Sequence, residues 1–476
     1  MKYTRIIIAS ILIVLGAFLV FLTLGVVNEE VIPLYTVSSN DVGPAVTGYK
    51  NYVSPEYYYG YTITWKSVQK DGYKFIYAKN LYLDGRQGQE YVINNVYYTI
   101  DPDSYPQIAS GFVEKYGPAS KLIAWQRNHD TDQNKNILVA NFAGEADIAD
   151  IPNSNSNAQA VFTGITSSSF FTVWQGENNY LYAKYLYNGP DIPATILHTN
   201  TSSNPQVAYS AKGDDMIVTW LGEENFMYYL RFELVDFSSI DPNNNNARLL
   251  GSGSGQNLHV AFGDGFNNER RFFIIWQRID DNNLGGAIIN PSDGEIIQTN
   301  ERLLTTGMPN IHNLKIFSVG RNLLLLWHKF TDSGDVNVYG FGISQNFDTL
   351  QSDPQLIATI EGEDINSVDY HYNEIGNAIL IVYSKGKVAD WAADIYGRIV
   401  GQNLVPDPDS DNDDILDTKD NCPFISNRDQ TDTDADGVGD ICDNCRLIKN
   451  PDQSDFDHNG IGDKCSPIRT RIKQRL

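Results

Sequence analysis

A short apolar run that ends in an aromatic residue recurs seven times along this chain and limits its possible folds. The aromatic residues that end the runs are Trp65, Trp125, Trp174, Trp220, Trp276, Trp327 and Tyr383. They are separated by 60, 49, 46, 56, 51 and 56 residues. Self-similarity at a period of about fifty residues indicates a repeated supersecondary unit.

Each aromatic residue is followed by a polar turn and a second strand-like run. These second runs cover residues 75–83, 137–142, 180–186, 226–232, 284–289, 338–343 and 395–400. They are rich in Tyr, Ile, Val and Phe, are bounded by Asn, Asp and Gly, and are too short for helices. We therefore predict a strand at each of them.

Further strand-like runs precede several of the aromatic residues and often begin with proline, as in Pro44-Ala-Val46, Pro205-Gln-Val207 and Pro309-Asn-Ile311. Another run lies before that proline, at residues 91–100 and 295–299. Four strands in about fifty residues is typical of a propeller blade. The sequence predicts an all-β fold, a seven-bladed β-propeller with four-stranded blades over residues 30–402.

The seventh repeat has no fourth strand after residues 395–400, whereas residues 31–36 lie where fourth strands occur in other repeats. A propeller has to cover its first and last sheet edges, because unpaired edges bind other chains. We expect the N-terminal strand to complete the last blade.

Asp394-Ile-Tyr-Gly-Arg398, with the degenerate Val338-Tyr-Gly-Phe341, resembles a motif in the repeats of secreted β-propellers of prokaryotic surface proteins. The resemblance implies a fold and no activity. The chain has no nucleophile elbow, His-Glu-x-x-His motif or phosphate-binding loop. Two functions stay open: adhesion or recognition of a glycan or protein ligand, and an exported hydrolase or lyase that acts on polysaccharide.

The N-terminus carries Lys2 and Arg5, then an apolar run from Ile6 to Val27, then acidic residues. This order predicts that residues 1–28 form a hydrophobic helix, either a signal anchor or a signal peptide, and that the rest is exported. The run is long enough to span a bilayer, which favours an anchor. We expect a protein at the cell surface or outside the cell, attached to the membrane through this segment.

The formal net charge of −24 argues against binding to nucleic acid, which requires clustered Lys and Arg. Residues 407–465 hold 17 Asp, no Glu and 5 Lys or Arg, and therefore half of that net charge. Cations are the expected partners of this segment.

Three loops in the acidic segment begin at Asp409, Asp432 and Asp455, at intervals of 23 residues. Calcium takes six to eight oxygen ligands, and positions 1, 3, 5, 7, 9 and 12 of such a loop can supply them, position 7 through its backbone carbonyl. The predicted Ca²⁺ ligands are Asp409, Asp411, Asp413, Ile415, Asp417 and Asp420; Asp432, Asp434, Asp436, Val438, Asp440 and Asp443; and Asp455, Asp457, Asn459, Ile461 and Asp463.

The three loops are not equally complete. Gly437 and Gly460 occupy position 6, where a sharp turn is needed, but the first loop has Asp414 there. Ser466 occupies position 12 of the third loop, where the other two have aspartate. We expect the second site to be the complete one.

Cys422, Cys442, Cys445 and Cys465 are all the cysteines in the chain. An even set in an exported chain indicates disulfides. Zinc is the alternative, but the neighbouring carboxylates are hard oxygen ligands that suit calcium.

The repeating pattern of Asp420-Asn-Cys-Pro423, a spacer that ends in Asp-Gln, an acidic loop and Gly-Asp-x-Cys closely resembles thrombospondin type 3 repeats over residues 407–465. The resemblance implies a calcium-wrapped rod with almost no apolar core and with disulfides Cys422–Cys442 and Cys445–Cys465. Residues 466–476 form a basic tail.

Overall fold

A computed structural model gives the architecture of the chain. It describes residues 31–35, 40–53, 56–70, 73–82, 85–93, 107–111, 120–128, 135–141, 148–151, 154–162, 170–186, 194–200, 202–210, 215–234, 239–241, 247–264, 270–304, 309–319, 322–348, 353–362, 364–373, 378–388, 392–401, 415, 420–422, 425–450, 453, 461–462 and 464–465. The apolar segment at residues 6–27 and the basic tail at residues 466–476 lie outside them. Among the described residues, no helix has the length and apolar character needed to cross a bilayer.

The described part of the chain from residue 31 to residue 401 is built of β-strands, which confirms the predicted all-β class. The strands in chain order are β1 (Ile32–Tyr35), β2 (Asn40–Val53), β3 (Glu56–Val68), β4 (Lys74–Tyr82), β5 (Gln87–Val92), β6 (Gln107–Gly111), β7 (Ser120–Asn128), β8 (Lys135–Asn141), β9 (Ile148–Ile151), β10 (Ser154–Phe162), β11 (Phe170–Gly176), β12 (Leu181–Leu186), β13 (Thr195–His198), β14 (Ser203–Ser210), β15 (Asp215–Leu221), β16 (Phe226–Glu233), β17 (Arg248–Asp264), β18 (Arg270–Arg278), β19 (Leu284–Ile289), β20 (Ile296–Leu304), β21 (His312–Val319), β22 (Asn322–Phe330), β23 (Val336–Ser344), β24 (Gln355–Ile360), β25 (Ile365–Asn373), β26 (Ala378–Lys385) and β27 (Asp394–Gly401).

The strands pair antiparallel with their neighbours in sequence. The hydrogen-bonded orders are β2-β3-β4-β5, β6-β7-β8-β9, β10-β11-β12-β13, β14 to β20 in succession, β21-β22-β23-β24, and β25-β26-β27-β1. In the last sheet Ile32 faces Gly397 and Tyr35 faces Ile395, so the first described strand lies beside the last one.

The first strand of each sheet and the long strand β17 also lie against one another in succession. Contacts run from β2 to β6, β6 to β10, β10 to β14, β14 to β17, β17 to β21, β21 to β25, and from β25 back to β2. The series of contacts therefore returns to the strand where it begins.

Strand β17 pairs with a different neighbour along each of its two halves. Its first part pairs with β16 through Arg248, Leu249 and Ser254, and its second part pairs with β18 from Gly255 to Asp264. The strand predicted to open at Pro309 begins instead at His312, because Asn310 has a φ of 61° that interrupts extended backbone.

The repeated tryptophans are packing residues. Trp65, Trp174, Trp220, Trp276 and Trp327 are all at most 1% exposed. The side chain of Trp125 lies outside what the structure describes. Four of the buried indoles stack on a tyrosine of the next strand, with ring centroids at 5.7 Å for Trp65–Tyr77, 5.8 Å for Trp174–Tyr182, 5.9 Å for Trp220–Tyr228 and 6.1 Å for Trp327–Tyr339.

Trp276 differs, because it faces Gly285 across the strand pair. A Cβ at that glycine would lie 2.6 Å from the indole Nε1, so the ring fills the space that a side chain would take. The aromatic register predicted from sequence is therefore a cross-strand stacking position that packs the interior of the sheets.

A buried ion pair joins the first strands of three sheets. Asp369 in β25 is 8% exposed and lies 2.5 Å from Lys315 Nζ in β21. Its carboxylate also accepts hydrogen bonds from Asn313 Nδ2 at 2.8 Å and from the backbone N–H of Val46 in β2 at 2.9 Å. Burial opposes ionisation of Asp369, but Lys315 and these hydrogen bonds outweigh it and hold its pKa below the usual value.

Two histidines lie near this pair on the same set of strands. His259 accepts a hydrogen bond from the backbone N–H of Ile316, and His371 packs edge-on against Phe317. Burial, together with the charge of Lys315, lowers the pKa of each of the two imidazoles to about 3. Both are therefore neutral at physiological pH.

Replacement of Asp369 by alanine should lower the free energy of unfolding by about 3 kcal/mol, because Lys315, whose side chain is only 18% exposed, would lose its partner. The ionised Asp369 carboxylate contributes to the free energy of unfolding above the pKa of an unfolded aspartate, about 3.9. This contribution is lost as the pH falls through the lower pKa of Asp369 in the folded state. Urea unfolding at pH 7 and at pH 3 measures both effects.

The control is Asp332→Ala in the exposed turn after β22, which should change the unfolding free energy by less than about 0.5 kcal/mol. Equal stability of Asp369→Ala and the control at pH 7 would contradict the assigned role of the ion pair.

Candidate calcium site

The second acidic loop folds around the carboxylate of its first residue. Asp432 Oδ1 accepts a hydrogen bond from the backbone N–H of Ala435 at 2.8 Å, and Oδ2 accepts one from Gly437 at 3.0 Å. Gly437 has a φ of 97°, which confirms that position 6 needs a glycine for its turn. These bonds curl the backbone of the loop back toward its first residue.

This fold brings the carboxylates of positions 1, 3 and 5 together. One oxygen from each of Asp432, Asp434 and Asp436 lies within 4.8 Å of the others. Both oxygens of Asp434 are shielded from solvent and have no hydrogen-bond partner in the described part of the chain. A shielded carboxylate without a donor is costly unless a cation or a proton compensates it.

The electrostatics of the loop favour a cation. Burial, and then the charges of Asp436, Asp443 and Asp432, raise the pKa of Asp434 above its usual value. These three carboxylates disfavour ionisation of Asp434, and a divalent cation would reverse that repulsion. The donors are all hard oxygens, which fit calcium and not zinc.

Asp443, the predicted ligand at position 12, stands at the edge of this group. Its Oδ1 accepts hydrogen bonds from the backbone N–H of Cys445 and from Gln453 Nε2, both at 2.8 Å. Its charge is one of the causes of the raised pKa of Asp434.

Asp440, the predicted ligand at position 9, has other partners. It accepts hydrogen bonds from the Thr433 N–H at 2.7 Å and from the Thr433 hydroxyl at 2.6 Å. Arg446 Nε donates to its Oδ2 at 3.0 Å. The Thr433 hydroxyl and N–H, with Arg446, hold the pKa of Asp440 below its usual value.

An amide clamp repeats in the two halves of the module. Gln430 Nε2 donates to Asp420 Oδ1 at 2.7 Å, and its Oε1 accepts from the Asn421 N–H at 2.9 Å. Gln453 makes the same two bonds, to Asp443 at 2.8 Å and from Asn444 at 2.9 Å. The clamp fixes the position-12 aspartates, and the repetition of Asn-Cys and Asp-Gln at 23 residues was its only sequence signal.

Two glycines leave space beside the backbone for disulfide sulfur atoms. A Cβ at Gly439 would lie 2.6 Å from Cys422 Sγ, and one at Gly462 would lie 2.6 Å from Cys445 Sγ. The bonds are Cys422–Cys442 and Cys445–Cys465, which confirms the predicted pairing.

The described part of the module buries polar groups and crosslinks. Cys422, Cys445, Asp420, Asn427 and Asn450 are each at most 9% exposed. The large apolar residues are exposed instead, at 44% for Ile425, 58% for Ile441, 74% for Leu447, 48% for Ile448 and 46% for Ile461. Apolar burial therefore contributes little to the stability of these residues.

The first and third loops are described only in part. Ile415, Asp420 and Ile461 are described, and Oδ2 of Asp420 is buried with no partner among the described residues. The other predicted ligands of these loops lie outside the described residues: Asp409, Asp411, Asp413, Asp417, Asp455, Asp457, Asn459 and Asp463. Their roles stay predictions.

Residues 405–430 and 430–453 match the thrombospondin type 3 repeat family. The resemblance inferred from the sequence is thereby confirmed for this segment, and the third loop lies beyond the matched residues. No curated protein sequence is similar to the chain.

Several solved structures align with the chain. A mutant of the Aleuria aurantia lectin bound to α-methyl-L-fucoside is 10% identical, with a TM-score of 0.38, and the alignment covers 69% of this chain and 97% of that one. The β-propeller domain of the Trilobed protease from Pyrococcus furiosus is 12% identical, with a TM-score of 0.41 and coverage of 78% and 99%. A mutant α-L-arabinofuranosidase from Fusarium graminearum, bound to an iminosugar inhibitor, is 9% identical, with a TM-score of 0.41 and coverage of 67% and 98%. At these identities and TM-scores, the likeness gives no information on ligand or activity.

Replacement of Asp434 by alanine should weaken calcium binding at the second loop by at least about tenfold, because the loop loses the ligand that has no other partner. Calcium binding to the wild type should also weaken as the pH falls, starting at a higher pH than for an isolated aspartate, because protons compete for a carboxylate of raised pKa. Isothermal titration calorimetry of the full chain measures both. Asp429→Ala, which removes an exposed carboxylate from the spacer, is the control, and equal losses in the two variants would refute the assignment.

Replacement of Gly439 by alanine should destabilise the acidic module by about 2 kcal/mol or more, since the added methyl group overlaps Cys422 Sγ. Limited proteolysis in calcium, followed by mass spectrometry, should then show faster cleavage within residues 420–450. Gly253→Ala is the control, because nothing lies within 4 Å of a Cβ at that position. If Gly439→Ala were cleaved no faster than the wild type, the close approach of Gly439 to Cys422 Sγ would not be needed for stability.

Proposed function

We propose that this chain is an exported calcium-binding protein that recognises a ligand through its propeller. The observation that carries the calcium assignment is Asp434, whose two shielded oxygens lie without a donor beside Asp432 and Asp436. Thrombospondin type 3 repeats are calcium-binding modules, and the match over residues 405–453 supports the same ion here. Calcium would screen the repulsion among the loop carboxylates and order the loop backbone.

The strand domain is proposed to be a closed seven-bladed ring over residues 30–402. Seven sets of four strands support this reading if the halves of β17 are divided between two neighbouring sets. The contacts of the first strands, from β2 round to β25 and back to β2, support closure. The β1–β27 pairing would then complete the last blade.

An extracellular location is proposed from the two disulfides, which persist in oxidising compartments. The apolar run at residues 6–27 would attach the protein to the membrane, with the propeller and the acidic module outside. Calcium is abundant outside cells, where weak loops of this kind would be filled.

The sheets offer one described surface suited to ligand contact. His312 begins β21 and Phe330 ends β22, so both lie at the same end of one sheet. Both side chains are exposed, with ring centroids 5.3 Å apart and the rings edge to face. The buried ring of His328, which is 4% exposed, packs against both His312 and Phe330 and holds the two exposed rings in place. Exposed, rigidly held aromatic rings are common contact residues of binding sites.

A glycan array probed with the full chain, run in parallel with a reducing-sugar assay on polysaccharides, tests the proposed function. Binding without sugar release is the expected result, and Phe330→Ala should lower the binding signal at least about tenfold. The control is Leu356→Ala, which removes a side chain of 56% exposure from the outer strand β24. Release of reducing sugar would show instead that the propeller is a hydrolase or lyase.

A further inference from the structure

The second loop bonds its position-9 aspartate, Asp440, to other residues of the module. Asp440 occupies position 9 of the loop, yet its two oxygens are taken by Thr433 and Arg446. The side chain of Asp440 is 12% exposed and that of Arg446 is 65% exposed. The guanidinium thus covers the carboxylate from the solvent side.

Arg446 distinguishes the second repeat from the first. It follows Asp443-Asn-Cys, and the residue at the equivalent place in the preceding repeat, after Asp420-Asn-Cys, is Pro423. A proline has neither a charge nor a donor, so the first repeat has no guanidinium at this place. The difference places one cation beside the loop that otherwise has the full set of ligands.

The position of this cation opposes calcium in two ways. Its charge neutralises an aspartate that would add to the negative field of Asp432, Asp434 and Asp436. Its hydrogen bond also adds to that of the Thr433 hydroxyl at Oδ2 of Asp440, so two donors keep that oxygen from turning toward an ion or toward a water bound to it. Asp440 therefore makes its bonds within the protein, whereas the carboxylates of Asp432, Asp434 and Asp436 remain available to a cation.

We propose that Arg446 sets the calcium affinity of the second loop by competing with the ion for Asp440. The proposal rests on the calcium binding proposed above. Loss of the guanidinium leaves Asp440 bonded to Thr433 but restores its charge to the loop, so that the loop binds calcium more tightly. Arg446 thus tunes a site whose ligand set alone would make it the strongest of the three.

The test is isothermal titration of the full chain with calcium, comparing wild type with Arg446→Gln. Gln keeps most of the length of the side chain but loses the charge, and the second site should tighten by about threefold to tenfold. The second site is identified as the one lost in Asp434→Ala. Arg428→Gln removes the same charge from the first spacer and should change the affinity by less than about twofold.

A double-mutant cycle shows whether Arg446 acts through Asp440. In an Asp440→Asn background, Arg446→Gln should change the affinity of the second site by less than about twofold, because the partner carboxylate is already neutral. Unchanged or weaker binding in the single variant overturns the proposal, as does equal tightening in both backgrounds. If the wild type itself binds no calcium, or if Asp434→Ala loses no site, the proposed function fails instead.

Discussion

The ion pair between Lys315 and Asp369 is the contact on which the arrangement of the sheets most depends. Strand pairing lies within the sheets, so contacts between neighbouring sheets rest largely on side chains, although the Asp41 N–H of β2 also donates to the Ala393 carbonyl beside β27. The Asp369 carboxylate contacts the sheets on both sides. It pairs with Lys315 and accepts a hydrogen bond from Asn313 in one sheet, and it accepts one from the Val46 N–H in another. A charge buried at this position is tolerated because a cation and two hydrogen-bond donors from β21 and β2 compensate it, and those partners fix the spacing of the first strands.

Much of the strand domain could be predicted from sequence, because each strand carries its own local pattern of apolar and polar residues. The absence of a fourth strand after Val400 pointed to residues 31–36, and β1 pairs with β27. The join within β17 and the start of β21 could not be predicted, since they depend on backbone angles such as that of Asn310. Asp369 and Lys315 carry no motif. Their only signal is a separation close to one repeat period, which places equivalent residues of adjacent sheets side by side.

In the acidic module, the spacing of aspartates predicted which residues converge, and Asp432, Asp434 and Asp436 do so. The spacing could not predict what holds them. Gln430, Gln453, Gly439 and Gly462 act through contacts with residues 9 to 17 positions away, and none is a predicted ligand. Asp440 was predicted only by its place in the loop, and its hydrogen bonds show that Thr433 and Arg446 compete for it. Ligand positions follow from local spacing, whereas ligand availability depends on neighbours that spacing does not specify.

The pairing of β1 with β27 has a mechanical consequence. Ile32 lies opposite Gly397, so the chain enters and leaves this strand pair at the same end. Tension between the segment before β1 and the segment after β27 would load the hydrogen bonds one after another, as in a zipper, and not all at once in shear. A pull between the two ends of the strand domain would therefore peel β1 away at low force. The buried Trp–Tyr stacks lie in other strand pairs, and they would bear load only after that first strand had gone.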